Sequence, residues 1–75
     1  MFSTNIQLLR KRRKRSQEEV AEHLEIKRSS LSGYENGTSE PPLKNLVKLS
    51  DYYQISIDNL VKHDLKKLGE VRAVN

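Results

Sequence analysis

Cysteine is absent from this sequence, which excludes a disulfide framework and any thiolate metal site. Only three glycines are present, too few and too scattered for a glycine-rich phosphate loop. No apolar run approaches the roughly 18 residues that a membrane helix needs, and no signal-peptide pattern follows Met1, so a cytoplasmic location is expected. No stretch alternates with a period of two over a useful length and nothing repeats internally, which points to an all-α chain. The two histidines, His23 and His63, stand forty residues apart beside charged neighbours and read as exposed helix residues; no metal site and no cofactor is expected.

What is present is a short, basic chain. Its 75 residues make one small domain, with several short helices around one apolar centre as the economical arrangement. Without a second domain, sensing of a small ligand by this chain alone is not expected. Lys and Arg number 14 against 10 acidic residues, for a net charge of +4 and a pI near 9.6, a balance compatible with nucleic acid as partner.

The stretch 16–37, SQEEVAEHLEIKRSSLSGYENG, organises the rest. Ser16 precedes Glu19 by three, the spacing at which a hydroxyl and a carboxylate cap a helix start reciprocally. Val20, Ala21 and Leu24 then share one face of an amphipathic helix. The segment 25–27 breaks that pattern, and a second helix is expected over about 28–35, burying Leu31 and Tyr34 and stopped by Asn36-Gly37. Two short helices joined so tightly cross steeply, the helix-turn-helix geometry that lets the second enter a DNA major groove.

Before the motif, Thr4 is a candidate N-cap for a first helix over about 5–13, with Ile6, Leu9 and Arg10 inward. That helix ends in six consecutive cations, Arg10-Lys11-Arg12-Arg13-Lys14-Arg15. Four readings compete for them: a nuclear-localisation-like run, a membrane-surface patch, a phosphate-binding patch, or a solvated helix end favoured by the dipole. A membrane role lacks an apolar face on the same helix, and phosphate contact suits the neighbouring motif. After the motif, Pro42 is expected to open a fourth helix at its first position, with Leu43, Leu46, Val47, Leu49 and Tyr53 as its buried stripe to about residue 53. Ser56 caps a short fifth helix through Asp58 to Val61, with Ile57, Leu60 and Val61 inward. One more turn is possible over 64–68, so the domain is expected over 1–68, followed by a flexible tail, 69–75.

The pattern Gln17-x-x-Val20-Ala21-x-x-Leu24-x-Ile26, then Ser30-Leu31-Ser32-x-Tyr34-Glu35-Asn36-Gly37, resembles the phage-repressor (Cro/Xre-type) helix-turn-helix family. The likeness extends to Ile6-x-x-Leu9-Arg10, Leu46-x-x-Leu49 and Ser56-Ile57-Asp58-x-Leu60. It implies a five-helix, lambda-repressor-like DNA-binding domain and a homodimer on a two-fold operator. By resemblance, Gln17 bonds a phosphate and braces the recognition helix. Arg10 and Glu35 form an internal ion pair, and Asn36 and Thr38 meet the DNA backbone. Arg28, Ser29, Ser32 and Gly33 fall opposite Leu31 and Tyr34 and face the groove, with Lys27 beside them. Arg28 is the candidate base reader, since guanidinium pairs bidentately with guanine O6 and N7; the plainer alternative is a phosphate contact. Lys44, Arg12 and Arg13 are the remaining phosphate candidates, so that alanine at Arg12 or Arg13 would weaken all sites alike.

Three departures from the family pattern stand out. Glu25 occupies a turn position where relatives carry glycine, Lys27 replaces a Ser or Thr cap, and Gly33 stands where relatives carry a long polar side chain. Readout is then expected to lean on Lys27, Arg28 and close backbone approach, with DNA shape contributing. The serines of the second motif helix have no histidine or acid placed to activate them, so no enzyme is expected. The expectation is a repressor-type transcriptional regulator acting on double-stranded DNA. The alternative is a protein-interaction module such as an antitoxin neutralising a toxin, using the exposed side of Tyr52 and Tyr53 and the chain after Leu65.

Overall fold

Five helices and no strand occur among residues 2–65, the part of the chain that the computed structural model describes. They are α1 (Phe2–Arg12), α2 (Gln17–Leu24), α3 (Arg28–Asn36), α4 (Leu43–Tyr53) and α5 (Ile57–Lys62). The 64–68 turn and the 69–75 tail expected from the sequence lie partly or wholly outside the described residues.

Local chemistry accounts for most of the boundaries. Ser16 Oγ accepts from the Glu19 N–H, and the Glu19 carboxylate accepts from the Ser16 N–H, each at 3.0 Å, so α2 starts on a full capping box. Ser56 starts α5 the same way, accepting from the Asn59 N–H at 3.1 Å. Glu25 ends α2 in the left-handed region, φ 57°, with its N–H returned to Ala21 and Glu22. Gly37 ends α3 at φ 79°, where glycine carries no steric penalty. Two starts differ from expectation. Helix α1 begins at Phe2, so Thr4 is an exposed position inside it rather than a cap. Pro42 is the N-cap of α4 and not its first helical residue.

Ile6, Val20, Leu31, Leu49 and Leu60, one from each helix, are fully buried and meet in one core with Ala21, Leu24, Tyr34, Tyr53 and Leu65. Burying each large aliphatic side chain stabilises the fold by about 1.5–3 kcal/mol. Helix α1 packs on α3 and α5, and α2 on α3 and α4. The stripe expected on α4 is only partly correct. Leu43 is 70 % exposed and Val47 42 %, with Val61 of α5 at 37 %, because the core reaches α4 along Asn45, Leu49 and Tyr53 instead.

Two buried amides carry structure that apolar patterning does not reveal. Asn5, 1 % exposed, donates to the carbonyls of Leu60 (2.8 Å) and His63 (2.6 Å) and accepts from the Leu65 N–H (3.0 Å). It thereby satisfies backbone groups at the end of α5 and fastens them to α1. Asn45 donates to the Tyr34 hydroxyl at 3.0 Å, tying α4 to α3.

Candidate nucleic-acid interface

Helix α3 is held on one side only. Leu31 and Tyr34 enter the core, and Glu35 fixes the adjoining flank: its carboxylate accepts from Arg10 Nε at 2.8 Å, Arg10 Nη2 at 3.0 Å and Gln17 Nε2 at 3.0 Å. Helices α1 and α2 therefore converge on a single buried carboxylate of α3. The hydrogen bonding of Arg10 to the Glu35 carboxylate is the main reason the guanidinium titrates above its ordinary value. Arg10 also donates to the Arg15 carbonyl at 2.9 Å, folding the α1–α2 turn around itself.

The outer face of α3 carries Arg28, Ser29 and Asn36, all exposed, and half-buried Ser32. Lys27 caps the helix with extended backbone and no side-chain hydrogen bond, leaving its ammonium in solvent beside Arg28. Asn36 Nδ2 reaches Ser32 Oγ at 3.4 Å, so these two steady one another across one helical turn. Lys44 is exposed at the start of α4.

Several expected roles change on this geometry. Gly33 does not open toward a groove: a Cβ there would collide with Ser39 Oγ and lie 3.4 Å from Thr38 Oγ1, so the loop after α3 is folded over it. The Gly33 carbonyl accepts from the N–H groups of Gly37, Thr38 (3.0 Å) and Ser39 (3.3 Å) and from the Thr38 hydroxyl (3.4 Å). Thr38 thus directs both its N–H and its hydroxyl at the same carbonyl. Arg13 is likewise engaged. Its guanidinium lies 5.3 Å from the ring centroids of both Tyr52 and Tyr53, and Nη1 donates to the Tyr52 carbonyl at 2.9 Å. It braces the end of α4. Arg12 follows Asn5 by seven residues, so it lies on the flank of α1 turned toward α5, away from the Arg10 flank that meets α3.

Tyr53 is a core residue, and Tyr52 is half-buried, edge-on to Tyr53 at 4.9 Å and tilted against His23 at 4.8 Å. This leaves little of the tyrosine pair as a docking surface. The sequence reading also missed Lys48, whose Nζ caps the Leu24 carbonyl at 3.0 Å. A lysine amid the α4 stripe gave no signal of a partner twenty-four residues back. Among the described residues, no group of three or more His, Asp or Glu side chains is placed to hold a metal ion, and no helix is long and apolar enough to cross a membrane.

The family profile described as "Helix-turn-helix" matches residues 6–60. The chain is 39 % identical over 62 residues to the uncharacterized HTH-type transcriptional regulator YqaE of Bacillus subtilis (strain 168), covering 83 % of this chain and 53 % of that protein. It is 36 % identical over 70 residues to the cryptic phage CTXphi transcriptional repressor RstR of Vibrio cholerae, covering 93 % of this chain and 63 % of that one. The chain thus spans a little over half the length of these curated relatives. In three dimensions it matches the P22 c2 repressor, solved in complex with synthetic operator 9T, at a TM-score of 0.81 and 30 % identity over 85 % of this chain and 97 % of that one. A transcriptional regulator from Listeria innocua matches at a TM-score of 0.75 and 26 % identity, over 100 % of this chain and 76 % of that one. With its five-helix, lambda-repressor-like fold, the chain belongs to the helix-turn-helix family, in its phage-repressor (Cro/Xre) branch.

Proposed function

We propose that this chain is a DNA-binding transcriptional regulator of repressor type, acting in the cytoplasm by occupying an operator. The observation that carries the reading is the one-sided support of α3: its inner face is buried and its flank clamped through Glu35, while Lys27, Arg28 and Ser29 are exposed and unpartnered. A major groove about 12 Å wide accepts such a helix. In this reading Arg28 reads a guanine, Ser29 and Ser32 contact base edges or phosphate, and Lys27 lies at the groove edge. Gln17, Asn36 and Lys44 bind phosphates; the Gln17 amide keeps one N–H beyond the one given to Glu35. The operator-bound state of the P22 c2 repressor, a protein of the same fold, supports this assignment.

The same proposal includes a homodimer. Leu43 and Val47 on one face of α4 and Val61 on α5 are exposed, and Val61 lines a hollow together with Phe2, Glu40, Pro41 and Leu46. Exposed apolar side chains grouped in this way suit a self-complementary two-fold contact. Two-fold pairing would set the recognition helices roughly 34 Å apart on successive turns of the duplex. Selection of bound sites from a random duplex pool tests the reading. A two-fold sequence with guanine preference in each half-site is the expected result, and enrichment of no sequence over the pool would overturn it.

A further inference from the structure

Gly33 stands on the outer face of α3 and brings no side chain to it. It follows Ser29 by one helical turn, so the two share a row, and that row is turned away from Leu31 and Tyr34, which enter the core. The space a side chain at position 33 would take is filled from the loop that follows the helix. A Cβ on Gly33 would collide with Ser39 Oγ and lie 3.5 Å from Ser39 Cβ. The Ser39 hydroxyl therefore occupies the place from which a side chain at position 33 would point outward.

That loop is fixed before any ligand arrives. Consecutive N–H groups of Gly37, Thr38 and Ser39 converge on the Gly33 carbonyl, the last two at 3.0 Å and 3.3 Å. The far end of the loop is tied as well, since Asn45 of α4 donates to the Tyr34 hydroxyl at 3.0 Å. The two hydroxyls of the loop then differ in use. Thr38 Oγ1 donates to the Gly33 carbonyl at 3.4 Å, whereas the Ser39 hydroxyl is exposed and has no hydrogen-bond partner among the described residues. A polar group on so constrained a backbone loses little freedom when it binds. The row beside it is low: Ser29, Ser32 and Gly33 put no long side chain between the helix backbone and a base edge. A helix with such a face can seat deeply in a groove, which a reader as short as serine requires.

We propose that Ser39 is a specificity-determining residue. Its hydroxyl bonds a base edge in the major groove from the place that Gly33 leaves open, so that positions 33 and 39 together read one base pair of each half-site. This assignment rests on the DNA-binding reading given above and deepens it. The test is selection from a random duplex pool by the wild type and four variants. Ser39→Ala is expected to melt with the wild type and to lose a roughly three- to tenfold preference at one base pair, distinct from the pair affected by Arg28→Ala. Ser39→Asn is expected to move that same pair toward adenine, which asparagine bonds bidentately. Gly33→Ala, whose methyl group displaces Ser39, is expected to weaken preference at the same pair, and Thr38→Val to leave every preference as in the wild type. Three results would each overturn the assignment while leaving DNA binding intact. They are wild-type preferences in Ser39→Ala, a uniform weakening of all sites by Ser39→Ala (the mark of a phosphate contact), and a change in Gly33→Ala at a different pair or at none. Failure of the wild type to enrich any duplex would overturn the underlying reading and the assignment with it.

Discussion

Arg10 and Glu35 form a two-bond ion pair between α1 and α3, at 2.8 Å and 3.0 Å, with side chains 12 % and 0 % exposed. A pair so nearly out of water is valuable mainly through what its loss leaves behind. Removing one partner strands a buried charge, which costs about 3–5 kcal/mol, whereas replacing both by apolar groups of similar volume is often close to neutral. Arg10→Met and Glu35→Leu are each expected to lower the urea midpoint sharply, and the double variant to recover much of the loss. Simple additivity of the two single effects would contradict the pairing.

Gly33 supports a second prediction. Its Cα hydrogen faces Ser39, whose hydroxyl must rotate away before a methyl group fits. Glycine within a helix is worse than alanine by about 0.8–1.0 kcal/mol. Gly33→Ala is therefore expected to gain most of that amount in a Ser39→Ala background and less in the wild type, as read by thermal unfolding. Equal effects in both backgrounds would mean that the loop does not rest on Gly33.

Two titrating groups set opposite ends of the pH profile. Burial pushes the Tyr53 phenol above its ordinary value, so the folded state holds the proton more tightly than the unfolded chain. Its contribution is present in full below the ordinary tyrosine value near 10 and is lost as pH rises beyond it. Tyr53→Phe is expected to flatten the alkaline limb. It removes a buried hydroxyl that has no hydrogen-bond partner, so stability at neutral pH is expected not to fall. Glu19 shifts the other way, lowered chiefly by the backbone N–H of Ser16. Its contribution is present above the ordinary glutamate range and fades as pH drops through the lowered value, and Glu19→Gln removes that dependence. pH-dependent melting curves of the two variants check both signs.

The exposed apolar group on α4 gives a test of assembly. Leu43→Glu or Val47→Glu changes solvent-facing positions, so the monomer's stability is expected to move by no more than about 0.5 kcal/mol. Analytical ultracentrifugation is expected to show a shift from dimer to monomer for either variant. A wild-type protein that sediments as a monomer at high concentration would rule this interface out.

Much of the fold is legible in the sequence where the determinant is local. Ser16 and Glu19 are three residues apart, Asn36-Gly37 is adjacent, and both helices of the motif begin and end within a residue of the expected positions. The left-handed turn at Glu25 was readable only through the family likeness, since glutamate itself gives no such signal. What was not legible depends on distant partners. Asn5 finds its acceptors 55 and 58 residues away, and nothing near it in sequence announces them. The apolar period of α4 is compatible with burying Leu43 and Val47; which edge of the stripe meets the core is decided by α2 and α5. The basic run reads as one block, yet its members separate only when Glu35, Tyr52 and the register of α1 are placed around it.

In the proposed function, the outer face of α3 reads bases from the major groove through Arg28. Methylation interference on a selected site tests it directly, because dimethyl sulfate modifies guanine N7 in the major groove and adenine N3 in the minor groove. The account predicts interference at guanine N7 in each half-site, with loss of one of these positions in Arg28→Ala while the others persist. Interference confined to adenine N3, or an Arg28→Ala pattern identical to that of the wild type, would contradict it.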